Sequence, residues 1–216
     1  MVKINKKYLK HKYEFYLISL LVLLFAQHIE PPVFHSIWKH VIVVQNVLVG
    51  LLLFDKERYW KKLVVWVLAI IMIAECFLHP FVDAVWIDAT LNFLFVFYFI
   101  LTSNVLFRDI LKAKTVSSEM LSAVFSGFVV LGMIGGFIYT IAELYEPNSF
   151  VNIGVGEDKF RNLNYFSFIS LLTIGYGDIV PLSFLAKKMA MLVGLAGHFY
   201  TTIVAAVVIG KYLNRK

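Results

Sequence analysis

Six apolar stretches, each near the length of a membrane crossing, constrain this chain more than any other feature. They run over residues 13–29, 36–54, 62–79, 85–107, 120–142 and 183–210. At 1.5 Å per residue, about 20 helical residues cross a hydrocarbon layer of roughly 30 Å. Of the 216 residues, 60% are hydrophobic and 16% charged. A soluble fold of this size would not hide that much apolar surface. The expected fold is therefore an all-α membrane protein with six transmembrane helices. The first run is followed by Glu30-Pro31-Pro32 and not by a small-residue cleavage pattern, so it is expected to be a retained span. The single cysteine, Cys76, excludes an intrachain disulfide and reads as a small apolar residue.

Charge fixes the expected orientation. With the N-terminus inside, the inner segments hold Lys3, Lys6, Lys7, Lys10, Lys12, Lys56, Arg58, Lys61 and Lys62. They also hold Arg108, Lys112, Lys114, Lys211, Arg215 and Lys216. The outer segments keep Lys39, Lys159, Arg161, Lys187 and Lys188. Basic residues gather on the cytoplasmic side of spans, so a multi-pass protein of the cell membrane with both termini cytoplasmic is expected. The net charge of +6 then reflects orientation. Nucleic acid is not an expected partner, because the lysines are scattered over short loops without a motif of that class. No converging acid, base and nucleophile emerges, so an enzyme is not expected. The acids Glu143, Glu146, Glu157 and Asp158 lie between the fifth and sixth runs. They read either as a solubilising loop or as charges that concentrate cations outside.

A shorter apolar run, 162–172, is too short to span and reads as a re-entrant helix. Such an element survives in a membrane where protein or water shields its backbone. It leads into Thr173-Ile174-Gly175-Tyr176-Gly177-Asp178, followed by Ile179-Val180-Pro181. Phe166 through Pro181 resembles the pore helix and selectivity filter of tetrameric potassium channels, and 120–210 resembles their pore domain. The six-run layout resembles the voltage-gated cation channel superfamily. The resemblance implies a homotetrameric pore in which one chain supplies one loop. It implies K⁺ as the transported ion, with no organic cofactor, held by carbonyls of Thr173, Ile174, Gly175 and Tyr176 that replace its hydration shell. The Thr173 hydroxyl adds an acceptor. Gly175 and Gly177 can take left-handed angles cheaply. Ile174 and Tyr176 are expected to pack behind the filter, within a cuff to which Tyr165 and Phe166 contribute. Asp178 is expected at the outer mouth in a hydrogen-bonding role. Many family members carry a pore-helix glutamate that pairs with this aspartate. Ile169 stands at that position, which leaves filter stability and inactivation open.

The resemblance also makes residues 113–216 a pore domain and 1–112 a four-helix, sensor-like domain. In the last run, Gly194 and Gly197 fit either close helix packing or, for Gly197, a gating hinge. His198, Thr201, Ala205 and Ile209 share a helical face, which the resemblance places along the cavity and inner mouth. Ile209 is a candidate apolar constriction. His198 is a candidate pH sensor or a packed residue. The fourth run, 85–107, contains no basic side chain, and Arg108 stands at its inner edge. Sensor charges are worth about 2.3 kcal/mol each per 100 mV, so a voltage-insensitive channel is expected. Glu75, Asn46 and Asn92 are polar positions in spans, with Asn46 or His79 as partners open to Glu75; helix–helix pairing is their plain reading. Residues 109–119 could form a short interfacial helix. Few residues follow the last run, and no nucleotide- or calcium-binding module is read in the chain. Expected partners are identical subunits, the bilayer, and an unidentified regulatory ligand or lipid. The runner-up readings are a weakly selective cation channel and a non-conducting membrane scaffold.

Overall fold

The computed structural model describes residues 11–25, 35–78 and 85–213. They form α1 (Lys12–Phe25), α2 (His35–Gly50), a 3-10 segment (Leu51–Lys56), α3 (Tyr59–Leu78), α4 (Val85–Lys112) and α5 (Ser118–Tyr145). Then come β1 (Phe150–Val151), α6 (Glu157–Leu171), β2 (Val180–Pro181) and α7 (Phe184–Leu213). Each of the six apolar runs carries a helix. Among the described residues three helices are long and apolar enough to cross a membrane: Ala89–Lys112, Ser118–Tyr145 and Phe184–Leu213. The expectations for Lys3, Lys6, Lys7, Lys10, Glu30, His79, Arg215 and Lys216 fall outside the described residues. So do those for the side chains of Lys39, Lys56, Glu75, Cys76 and Glu157.

Three boundaries differ from the sequence reading. The second run leaves α-helix at Gly50 and tightens into the 3-10 segment. The short helix expected at 162–172 begins five residues earlier, at Glu157, because the polar turn after Gly156 is helical although not apolar. No interfacial helix forms over 109–119. Instead α4 continues to Lys112 and α5 starts at Ser118. Ser117 caps α5, its Oγ accepting the Met120 amide at 3.2 Å.

The described residues divide into two compact units. One comprises residues 1–83 and 101–129, the other 84–100 and 130–216. In the first, α1 packs on α2, and the Asn46 amide donates to Ser19 Oγ at 3.0 Å. This is the helix–helix polar pairing the sequence suggested for Asn46. Tyr16, Leu20, Val47, Leu53 and Met72 form its buried core. At one end, Arg108 pairs with Glu57 and Asp109, Lys61 pairs with Glu57, and Tyr13 donates to Asp109 at 2.6 Å.

The second unit contains the glycine-containing loop. The rings of Phe95, Phe99 and Phe137 stack and Phe160 tilts against Phe137 to form one cluster, and Tyr139, Phe150 and Phe166 form another. Gly132, Gly135 and Gly136 of α5 provide the seat for α6. A Cβ on Gly136 would stand 3.0 Å from the Asn164 Cα, and one on Gly132 would enter the Phe168 ring. Removing those Cβ atoms brings the backbones close enough for Ser167 Oγ to donate to the Gly132 carbonyl at 2.8 Å. Buried Ala186, Val193, Gly197 and Val204 form the inward stripe of α7, at spacings of seven, four and seven.

Candidate functional site

Helix α6 ends in a Schellman turn that launches the Thr173–Asp178 loop. The Ile174 amide reaches back to the Ile169 carbonyl at 2.9 Å, and the Thr173 amide to the Ser170 carbonyl at 3.1 Å. The Gly175 amide also points at the Ile169 oxygen, at 3.4 Å. This turn requires a left-handed residue immediately after the helix, usually glycine. Here it is Thr173, with φ +58°. A β-branched residue in that region is strained, and the surrounding hydrogen bonds hold it there. Gly175 and Gly177 follow with φ +58° and +80°. Positive φ thus recurs at every second residue from Thr173 to Gly177.

The loop is exposed in the single chain, including Ile174 and Tyr176. Tyr165 and Phe166 behave differently. Phe166 is buried against Tyr139 and Phe150. Tyr165 is exposed, with the Asp178 carboxylate near its hydroxyl. Ile169 is buried. Its side chain offers Asp178 no carboxyl partner, whereas its carbonyl anchors the start of the loop.

A second set of contacts holds the far end of the loop. β1 pairs antiparallel with β2, Phe150 opposite Pro181 and Val151 opposite Val180. The Asn152 amide donates to the Asp178 carbonyl at 2.8 Å. The Leu182 amide donates to the Ser149 carbonyl at 2.7 Å. Ser149 is held by Glu143, whose carboxylate accepts the Ser149 amide at 2.9 Å and the Asn148 amide at 3.1 Å. Lys159 Nζ lies 3.1 Å from the same carboxylate. Glu143 is buried. It is therefore neither a solubilising loop residue nor a free mouth charge, and both sequence readings of it are corrected. Asp158 remains exposed and pairs with Arg161 at 3.5 Å. Nothing in the sequence flagged the Gly132–Gly136 seat, Asn152 or Ser149. A glycine trio at i, i+3, i+4 was the available signal for the seat.

On α7, the two glycines separate. Gly194 meets nothing within 4 Å, whereas a Cβ on Gly197 would stand 2.7 Å from the Leu171 carbonyl oxygen. Gly197 therefore packs against the last turn of α6. His198, Thr201, Ala205 and Ile209 are all exposed in the single chain. The Thr201 hydroxyl donates back to the carbonyls of Gly197, at 3.1 Å, and His198, at 3.0 Å.

Comparison with known proteins bears on this half of the chain through one family match. Residues 127–214 match a family described as "Ion channel". The calcium-gated potassium channel TvoK of Thermoplasma volcanium is 32% identical over 110 residues, 46% of this chain and 28% of TvoK. The chain thus spans under a third of that relative's length. No solved structure matches it.

Proposed function

We propose that the chain is one of four identical subunits of a potassium-selective ion channel that passes K⁺ down its electrochemical gradient. The observation that carries this reading is the recurrence of positive φ at Thr173, Gly175 and Gly177, at the end of a helix, within Thr-Ile-Gly-Tyr-Gly-Asp. Alternating backbone handedness turns successive carbonyls to one side. Four such loops would surround an axis with oxygens of Thr173, Ile174, Gly175 and Tyr176. Gly177 and Asp178 end the filter, and Tyr165 and Phe166 support it. In this reading α6 is the re-entrant pore helix. Its C-terminal dipole end favours a cation beneath the filter. The ion channel match and the name of the relative support the assignment. Calcium control belongs to that relative and is not carried over, since the alignment covers 28% of it.

Residues 113–216 are the proposed pore domain, and 1–112 a sensor-like four-helix domain. Six spans put both termini in the cytoplasm. Gly197, His198, Thr201, Ala205 and Ile209 are the candidate cavity and gate positions. Voltage insensitivity is supported by α4. Arg108, the basic residue at the inner edge of the fourth run, is held between Glu57 and Asp109.

Purified protein in planar bilayers tests the reading by ion replacement. Replacing K⁺ by Na⁺ on one side should shift the reversal potential toward that of K⁺. Equal permeability to the two ions sinks the selectivity claim. A steep conductance–voltage curve in the same bilayers sinks the claim of voltage insensitivity.

A further inference from the structure

The first unit carries a cavity of about 390 Å³ that the conduction path does not use. Val64 and Val65 of α3 and Leu101 and Val105 of α4 form its apolar wall, with Lys61 and Arg108 on its lining. The volume lies in the range of small-ligand sites, roughly 300–1,000 Å³. Lys61 and Arg108 remain partly exposed, at 42% and 35%, while both engage Glu57. The local cluster contains Lys12, Lys61 and Arg108 against Glu57 and Asp109, three cations to two carboxylates. Arg58 and Lys62 add positive charge in the neighbouring turn.

We propose that this cavity binds an anionic phospholipid from the inner leaflet. The phosphate would sit beside Lys61 and Arg108, with the first acyl methylenes along the valine and leucine wall. Two features favour a lipid over a soluble anion. The wall is apolar, whereas a free phosphate would use only the cationic end. Val64 of the wall is itself an exposed apolar side chain, so the wall reaches the surface, where acyl chains can meet it. Juxtamembrane basic residues attract anionic headgroups at the cytoplasmic leaflet. The proposal rests on the channel reading only for the side of the membrane. Binding is measured without conduction, so the two can fail separately.

Native mass spectrometry of the full chain in detergent tests it, with phosphatidylglycerol, phosphatidylcholine of the same chains, and inorganic phosphate as probes. Phosphatidylglycerol should be retained more tightly than phosphatidylcholine. Lys61→Gln should weaken it about fivefold, the value of one basic charge near an anionic surface. Val64→Trp fills the cavity without touching a charge and should weaken it at least as much. Millimolar inorganic phosphate should not displace the lipid. Equal retention of the two lipids, or unchanged phosphatidylglycerol retention in either variant, overturns the proposal. Displacement by phosphate also overturns it, in favour of a soluble-anion site. Should Lys61→Gln fail to fold, Val64→Trp and the lipid comparison decide.

Discussion

The Ile174 amide is hydrogen-bonded to the Ile169 carbonyl at 2.9 Å, which makes the end of α6 and the first turn of the Thr173–Asp178 loop one structural element. Thr173 sits inside that turn at φ +58°. Left-handed backbone costs a non-glycine residue about 1–2 kcal/mol. Thr173→Gly should therefore leave thermal stability unchanged or raised, while the lost hydroxyl weakens K⁺ over Na⁺ preference. A large fall in Tm would show that the Thr173 side chain, not the turn, holds the loop.

Gly175 has φ +58° and open space around its missing Cβ. Any cost of Gly175→Ala in the subunit thus comes from backbone angle, again about 1–2 kcal/mol. A ligand that binds the folded state and not the unfolded chain raises Tm, by an amount that grows with the logarithm of its concentration above Kd. Thermal scans in K⁺ should exceed those in Na⁺ for the parent protein, and the difference should vanish in Gly175→Ala. Identical scans of the parent in both ions would count against a K⁺ site.

Gly197 and Gly194 should respond oppositely to alanine. At Gly197 the new methyl meets a backbone oxygen that cannot swing aside, and overpacking of this kind costs about 1–3 kcal/mol. At Gly194 space is open, and a helical Gly→Ala change gains up to about 1 kcal/mol. Tm values of the two variants measure this. Equal shifts would contradict the close approach to Leu171.

Glu143→Ala removes the acceptor of the Asn148 and Ser149 amides and strands Lys159. An unsatisfied buried donor, here the Ser149 amide, costs about 1–3 kcal/mol, and the exposure of Asn148 and Lys159 reduces their share. Because Ser149 in turn receives Leu182, the loss should appear as faster decline of K⁺ current under sustained recording. Glu143→Gln, which keeps an acceptor oxygen, should be milder. Current decay indistinguishable from the parent in Glu143→Ala would detach this staple from the Thr173–Asp178 loop.

Acid should spare the Arg108 anchor until well below neutrality. Burial raises the Glu57 carboxyl, but hydrogen bonds from Arg108 and Lys61 outweigh it and leave it below its ordinary 4.5. A lowered carboxylate stabilises the fold above its unfolded value and loses that contribution as pH falls through the folded one. Between internal pH 5.5 and 8 the anchor is therefore constant. Any current titration in that window that disappears in His198→Ala belongs to the imidazole. Identical curves for parent and variant would dismiss His198 as a sensor.

Apolar run length made the helices legible, and Thr173–Asp178 made the loop legible. The supports were not, for physical reasons. β1 and β2 have two residues each, too few to show a period of two. Glu143 is satisfied mainly by backbone amides, which every sequence contains. Gly132, Gly135 and Gly136 sit in an apolar helix where hydropathy is unchanged by their missing Cβ. Thr173 carries a conformation that glycine usually occupies, so residue type pointed away from it. The Ser117 cap sets the start of α5, whereas α6 begins at Glu157 after Gly156 without a side-chain cap, in a polar turn that hydropathy does not mark.

Gly197 bears on Leu171 two residues before Thr173, and α7 extends from there to Leu213. That remaining arm is about 24 Å long at 1.5 Å per residue. Its near end lies against the last turn of α6. A tilt that sweeps the free end across several ångströms would move the Gly197 backbone by only a fraction of that, yet toward a carbonyl that leaves no room for even a Cβ. In the proposed channel, α7 would then act as a lever in mechanical series with the Thr173–Asp178 loop: a swing of its far end would load the last turn of α6.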